Sequence, residues 1–172
     1  MLFRSEQMNG YQPNMVLEYS SSSKDSITPK YAYPTDSGFD LYSIEDVSIE
    51  SFGRALIPTG LHFDIPDGYE IQVRSKSGLA LKQGLMVLNS PGTVDQGYTG
   101  EIKVILFNTT NNEVIIEKGQ KIAQGVVCPV VAGKWVNLVK VNNIEDITNY
   151  ILNGTKNNYN DVINKFYQDN FY

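Results

Sequence analysis

Cysteine occurs once in the 172 residues, at Cys128, so no internal disulfide can form. This usage fits an intracellular, reducing compartment, the cytoplasm or a host cell's cytoplasm. Basic residues are in deficit: 14 Lys and Arg stand against 19 Asp and Glu, a formal net charge of −5. That balance excludes a general nucleic-acid binder and a binder of acidic membranes. A polyanionic ligand would need local cations and metal ions instead. No apolar run approaches the length of a membrane span, and Met1–Gly10 has no secretory pattern. Arginine stops at Arg74, and histidine and tryptophan occur once each, at His62 and Trp135. His62 reads as a solvated side chain without metal-type partners, Cys128 as a small core residue, and Trp135 as packing at a strand start.

Hydrophobic residues make up 41% of the chain and charged residues 19%, enough apolar content for one soluble domain with a proper core. Short apolar runs separated by turn residues predict strands at Val47–Ile49, Ala55–Ile57, Leu61–Ile65, Tyr69–Val73, Ile102–Phe107, Val114–Ile116, Lys121–Val131 and Val136–Val141. Leu61, Phe63 and Ile65 alternate with His62 and Asp64, the period of a strand with one wet face. The pattern predicts an all-β, antiparallel sandwich or barrel of jelly-roll type. One helix interrupts it: Ser77–Gln83 begins at a capping residue and stops before Gly84. Residues 1–26 read as an N-terminal extension, with Ser20–Ser23 a loop by composition. Residues 27–141 read as the main domain and 142–172 as a tail. In that tail Val162, Ile163, Phe166 and Tyr167 are spaced for a short amphipathic helix over Asp161–Gln168.

The chemistry-bearing residues fall in four blocks: Thr35–Ser43 (TDSGFDLYS), Arg74–Ala80 (RSKSGLA), Asn89–Ile102 (NSPGTVDQGYTGEI) and Gly119–Gln124 (GQKIAQ). The third carries most information. It opens with a turn cluster, Asn89 to Gly92, and puts Asp95 and Tyr98 three residues apart beside Gly97 and Gly100. A carboxylate and a ring on a glycine-flanked hairpin build a binding site more readily than a core. A turn aspartate bonding its own backbone is the structural alternative.

The four blocks, in this order and spacing, resemble the motifs of the trimeric dUTPase family across roughly residues 30 to 141. The resemblance implies a dUTPase-like jelly roll, hydrolysis of dUTP to dUMP and pyrophosphate, and Asp95 as the base that activates water against the α-phosphorus. It implies that Tyr98 packs under the deoxyribose, that Asn89 and the Thr93–Val94 backbone read uracil, and that Lys76, Ser77, Gly78 and Gln124 bind phosphates. Lys103 would line the site, or be a solvated strand residue. Asp40 and Arg74 would support it, Asp40 as readily by structure as by catalysis. The resemblance further implies Mg²⁺ bound mainly through the phosphates with no metal cage of protein ligands, and a homotrimer with shared active sites. Two departures stand out. Lys76 replaces a usual arginine, keeping the charge but losing the fork that grips two oxygens. No arginine- and glycine-rich tail closes the chain; the tail's lysines and aromatics would have to serve instead. A dCTP deaminase on the same fold needs a glutamate where this chain has Ile105. A non-catalytic or regulatory dUTP-binding relative is the remaining alternative.

Overall fold

The computed structural model describes residues 15–138 and 140. In chain order the elements are β1 (Glu18–Ser21), β2 (Phe39–Tyr42), β3 (Val47–Ile49), β4 (Arg54–Asp64), β5 (Tyr69–Arg74), α1 (Ser77–Gln83), β6 (Leu85–Val87), β7 (Gly92–Val94), β8 (Ile102–Asn108), β9 (Val114–Ile116), β10 (Lys121–Pro129) and a 3₁₀ turn at Gly133–Trp135. Two compact units divide the chain, Met1–Ala132 and Gly133–Tyr172.

Alternation along each strand decides which face is buried. Phe39 and Leu41, Ile71 and Val73, Val104 and Leu106, and Ile57, Leu61 and Phe63 all point into one apolar cluster. Two four-stranded antiparallel sheets contribute these residues, in the orders β1-β4-β8-β6 and β2-β10-β5-β7, and β3-β9 forms a small third sheet. The architecture is therefore the expected antiparallel β-sandwich, with one short helix among the described residues. That helix buries none of its residues fully and rests on the core through Leu79. Gly84 ends it at φ 62, where a left-handed residue closes the turn.

Several expectations need correction. Ala55–Ile57 and Leu61–Ile65 are not two strands. β4 runs through Pro58–Gly60, with a bulge between Pro58 and Leu61 and Gly60 at φ 67. The turn-like sequence marks an irregularity within a strand. Ser20 and Ser21 are not loop but the end of β1, an edge strand paired with His62 and Leu61. The helix spans Ser77–Gln83 as expected, but Ser77 is its first helical residue rather than its cap; Lys76 holds the cap position without a side-chain hydrogen bond. β10 stops at Pro129, and Val131 is exposed. The expected strand at Val136–Val141 is absent over residues 136–138, and Trp135 is exposed in the 3₁₀ turn rather than packed. Cys128 is only half-buried. The expected helix at Asp161–Gln168 and the rest of the tail lie outside the described residues.

Gly125 shows how closely this sandwich is packed. A Cβ there would lie 2.5 Å from Phe39 Cζ. The Phe39 ring is itself held 5.4 Å from Phe63 and 5.8 Å from Tyr31, centroid to centroid. Gly125→Ala is expected to destabilise by about 1–3 kcal/mol through overpacking, read as a lower denaturation midpoint. An unchanged midpoint would show that the ring has room to move.

Candidate active site

The first group of site residues gathers on the outward face of the second sheet. Register places Asp40 opposite Gln124, and Gln124 opposite Arg74, across three adjacent strands. Side chains directly opposite share a face. Asp40 is the buried member, its side chain 8% exposed. A carboxylate at that depth needs compensation, and two lysines provide it. Lys76 hydrogen-bonds Oδ1, and Lys121 Nζ lies 2.7 Å from Oδ2. Burial pushes the Asp40 pKa up, but hydrogen bonds from Lys121 and Lys76 outweigh it and hold the carboxyl below the usual range. The same carboxylate raises the Lys121 pKa. Gln124 donates from Nε2 to the Ser75 carbonyl at 3.0 Å. Gly38 leaves room for it, since a Cβ there would fall 2.6 Å from Gln124 Oε1. Arg74 turns to Gln72 Oε1 (2.6 and 3.1 Å) and Cys128 Sγ (3.6 Å). Ser77 and Gly78 are exposed, with open space beside Gly78.

The second group lies on the hairpin after β6. Asn89 is exposed, its amide 3.1 Å from where a Gly92 Cβ would stand. A cis Ser90–Pro91 peptide leads into β7. β7 pairs with β5, Thr93 opposite Gln72 and Val94 opposite Ile71. Thr93 is therefore outward, and Val94 packs on the core. Asp95–Tyr98 closes a turn, Tyr98 N–H donating to the Asp95 carbonyl at 3.1 Å. Gly97 sits at φ 84 in its third position, the conformation that favours glycine there. The Asp95 side chain is exposed. Tyr98 is half exposed, and its hydroxyl donates to the Glu101 carbonyl at 3.1 Å. Gly100 admits the ring: a Cβ would lie 2.5 Å from the tyrosine oxygen. Lys103 pairs with Glu101 at 3.4 Å, and both line an open cleft of about 420 Å³ with Tyr98, Leu56 and Ile105.

The expected site residues thus form two sets. Asp40, Lys76 and Gln124 lie together with Arg74; Thr93, Asp95, Tyr98 and Lys103 belong to the hairpin and the strand that follows it. Among the described residues no hydrogen bond or ion pair joins one set to the other. Sequence reasoning missed Lys121, although it falls inside the GQKIAQ block, three residues before Gln124. It also missed Glu101, which caps the β4 bulge by accepting from Gly60 N–H at 2.8 Å. His62 was misread as solvated. Its Nδ1 lies 3.0 Å from the Thr99 carbonyl, and its Nε2 is buried with no hydrogen-bond partner among the described residues.

A β-sandwich with a cationic corner and a separate acid- and ring-bearing hairpin is the class of protein these features define. The dUTPase family model matches residues 24–156, and the chain belongs to the dUTPase family. It is 50% identical over 123 residues to a deoxyuridine 5'-triphosphate nucleotidohydrolase of Hydrogenobaculum sp., covering 71% of this chain and 85% of that protein. Among solved structures it resembles a mutant dUTPase of Staphylococcus bacteriophage 80alpha with dUpNHpp (TM-score 0.67, 27% identity, 74% of this chain and 89% of that one). It also shares the fold of a phage phi11 dUTPase from S. aureus that coordinates a structural Mg(II) ion (TM-score 0.68, 24% identity, 75% and 98% covered).

Among the described residues no three His, Cys, Asp or Glu side chains cluster, and both Asp40 oxygens are taken by lysines. The Asp40 clamp has a pH signature. A carboxyl with a depressed folded pKa contributes stability that is fully present above its unfolded value of about 3.9. That contribution is lost as pH falls through the folded value. Stability of the parent is expected to drop in this acid window, and Asp40→Asn to flatten that part of the profile. Urea midpoints taken across pH check it; parallel profiles would contradict the clamp.

Proposed function

We propose that the chain hydrolyses dUTP, taken up as its Mg²⁺ complex, to dUMP and pyrophosphate. The observation that carries this reading is the contrast between two carboxylates. Asp40 is buried and bound on both oxygens. The Asp95 side chain is exposed and, among the described residues, makes no hydrogen bond or ion pair. A general base needs a free lone pair aimed at water, and of these two groups only Asp95 offers one. It orients and deprotonates the water that attacks the α-phosphorus. The new P–O bond forms as the bond to the pyrophosphate oxygen breaks.

Tyr98 presents a ring whose hydroxyl is already tied to its own hairpin, so the ring can lie flat under a deoxyribose and exclude a 2′-hydroxyl. Asn89 and the Thr93–Val94 backbone read the pyrimidine edge, where cytosine would leave buried groups unpaired. Lys76, Ser77, Gly78 and Gln124 bind the phosphates, with Arg74 behind them, and Lys103 lines the sugar side. Lys76 must then exchange the Asp40 carboxylate for phosphate oxygens. Ile105, half-buried and apolar, cannot move a proton, which disfavours deamination. The lone thiol fits a reducing intracellular compartment, and no helix among the described residues is long and apolar enough to cross a membrane.

The separation of the two residue sets supports a homotrimer in which each site draws on more than one chain. A surface for such contact exists. Leu56 opposite Ile105, and Met86 opposite Phe107, form an outward apolar stripe on β4, β8 and β6 that continues to the exposed Leu88.

Asp95→Asn is expected to lower kcat for dUTP by about 10²-fold or more, with KM changed little. Parent-level turnover in this variant would refute the assigned base. Leu56→Glu is expected to yield monomers by light scattering and to lose activity with them. A fully active monomer would contradict the shared site.

A further inference from the structure

We infer that His62 is a positioning residue for the turn that carries Asp95 and Tyr98; the inference rests on the hydrolase reading above. The turn residues 95–99 are exposed, so packing does little to place them. Their N-terminal side is fixed by pairing of β7 with β5. On their C-terminal side Glu101 reaches back to Gly60 N–H, and Tyr98 bonds within its own hairpin. His62 is the side chain from β4 that grips the turn's own backbone, at Thr99, one residue after Tyr98 and four after Asp95.

The chemistry of that contact fixes the tautomer. A carbonyl oxygen only accepts, so the Nδ1 that lies 3.0 Å from it carries the proton. Nε2 is then the lone-pair nitrogen. It is buried and, among the described residues, unpartnered, an environment that would leave a proton there without an acceptor. His62 sits just beyond the β4 bulge, opposite Ser20 of β1. The edge strand and the bulge therefore set the ring that sets the turn. A displacement at Thr99 would move the base and the sugar-facing ring together, and small misplacements of reacting groups are expensive in rate.

Two substitutions separate positioning from mere packing. His62→Phe keeps a ring and removes the donor. His62→Asn places an amide N–H where Nδ1–H stood. With folding and oligomer size checked by circular dichroism and light scattering, His62→Phe is expected to lower kcat for dUTP roughly fivefold to tenfold. It is also expected to erode the preference for dUTP over UTP by a similar factor, and His62→Asn to restore both to within about twofold of the parent. A His62→Phe enzyme with parent kcat and selectivity, or an Asn variant as impaired as Phe, would overturn the inference while an active parent leaves the hydrolase reading standing. A parent without dUTP hydrolysis would overturn both. Nitrogen-15 spectra of the imidazole give a readout independent of turnover: the Nδ1–H tautomer is expected, and the Nε2–H tautomer would overturn the contact.

Discussion

Asp40 is the group on which the cationic corner depends. Its backbone belongs to β2, its two oxygens are held by Lys76 and Lys121, and those lysines come from the β5–α1 junction and the start of β10. One buried carboxylate thereby fixes three segments that are far apart in the chain. Removing a single partner from such an arrangement is costly, because the charge left behind stays buried. It also stores cationic side chains at a place where phosphates could later compete for them. An arginine fork can grip two oxygens at once. The lysine here makes a single-point contact, which is easier to exchange.

The hairpin works by the opposite principle. Its acid is solvent-facing, its ring is half exposed, and its backbone is held by glycine geometry and a few hydrogen bonds at its base. Pairing of β7 with β5 ties it to the same sheet as the cationic corner, but among the described residues no hydrogen bond or ion pair joins the two sets of side chains. The sandwich thus presents two separate polar surfaces. In the proposed trimer, the apolar stripe on β4, β8 and β6 would bring complementary surfaces from different copies together.

Much of the fold was legible in the sequence, since strand periodicity survives wherever one face is buried and the other wet. Val47–Ile49 and Val114–Ile116 were placed to the residue, as was the helix Ser77–Gln83. The misreadings have physical causes. Pro58-Thr59-Gly60 has turn chemistry, yet Thr59 Oγ1 bonds the Ile102 carbonyl at 2.6 Å and Glu101 caps Gly60, so the strand continues through a bulge. Ser20 and Ser21 have no apolar signal because they lie on an exposed edge, where backbone pairing alone defines the strand. Trp135 and Val136 carry an apolar pattern, but pattern says nothing of whether a partner strand is available. The candidate site residues stand out as motifs. Their partners do not: Lys121, Glu101 and His62 matter through contacts across 81, 41 and 37 positions of chain, and no local pattern encodes those.

Subunit complementation tests the central claim of a divided site most directly. Lys76→Ala and Asp95→Asn chains, each expected to be strongly impaired alone, are mixed, unfolded and refolded together, and dUTP hydrolysis is measured. Mixed assemblies in which one chain supplies the cationic corner and another the hairpin should recover a substantial fraction of parent turnover. No recovery, with mixed oligomers shown to be present, would contradict it and place the whole reaction within a single chain.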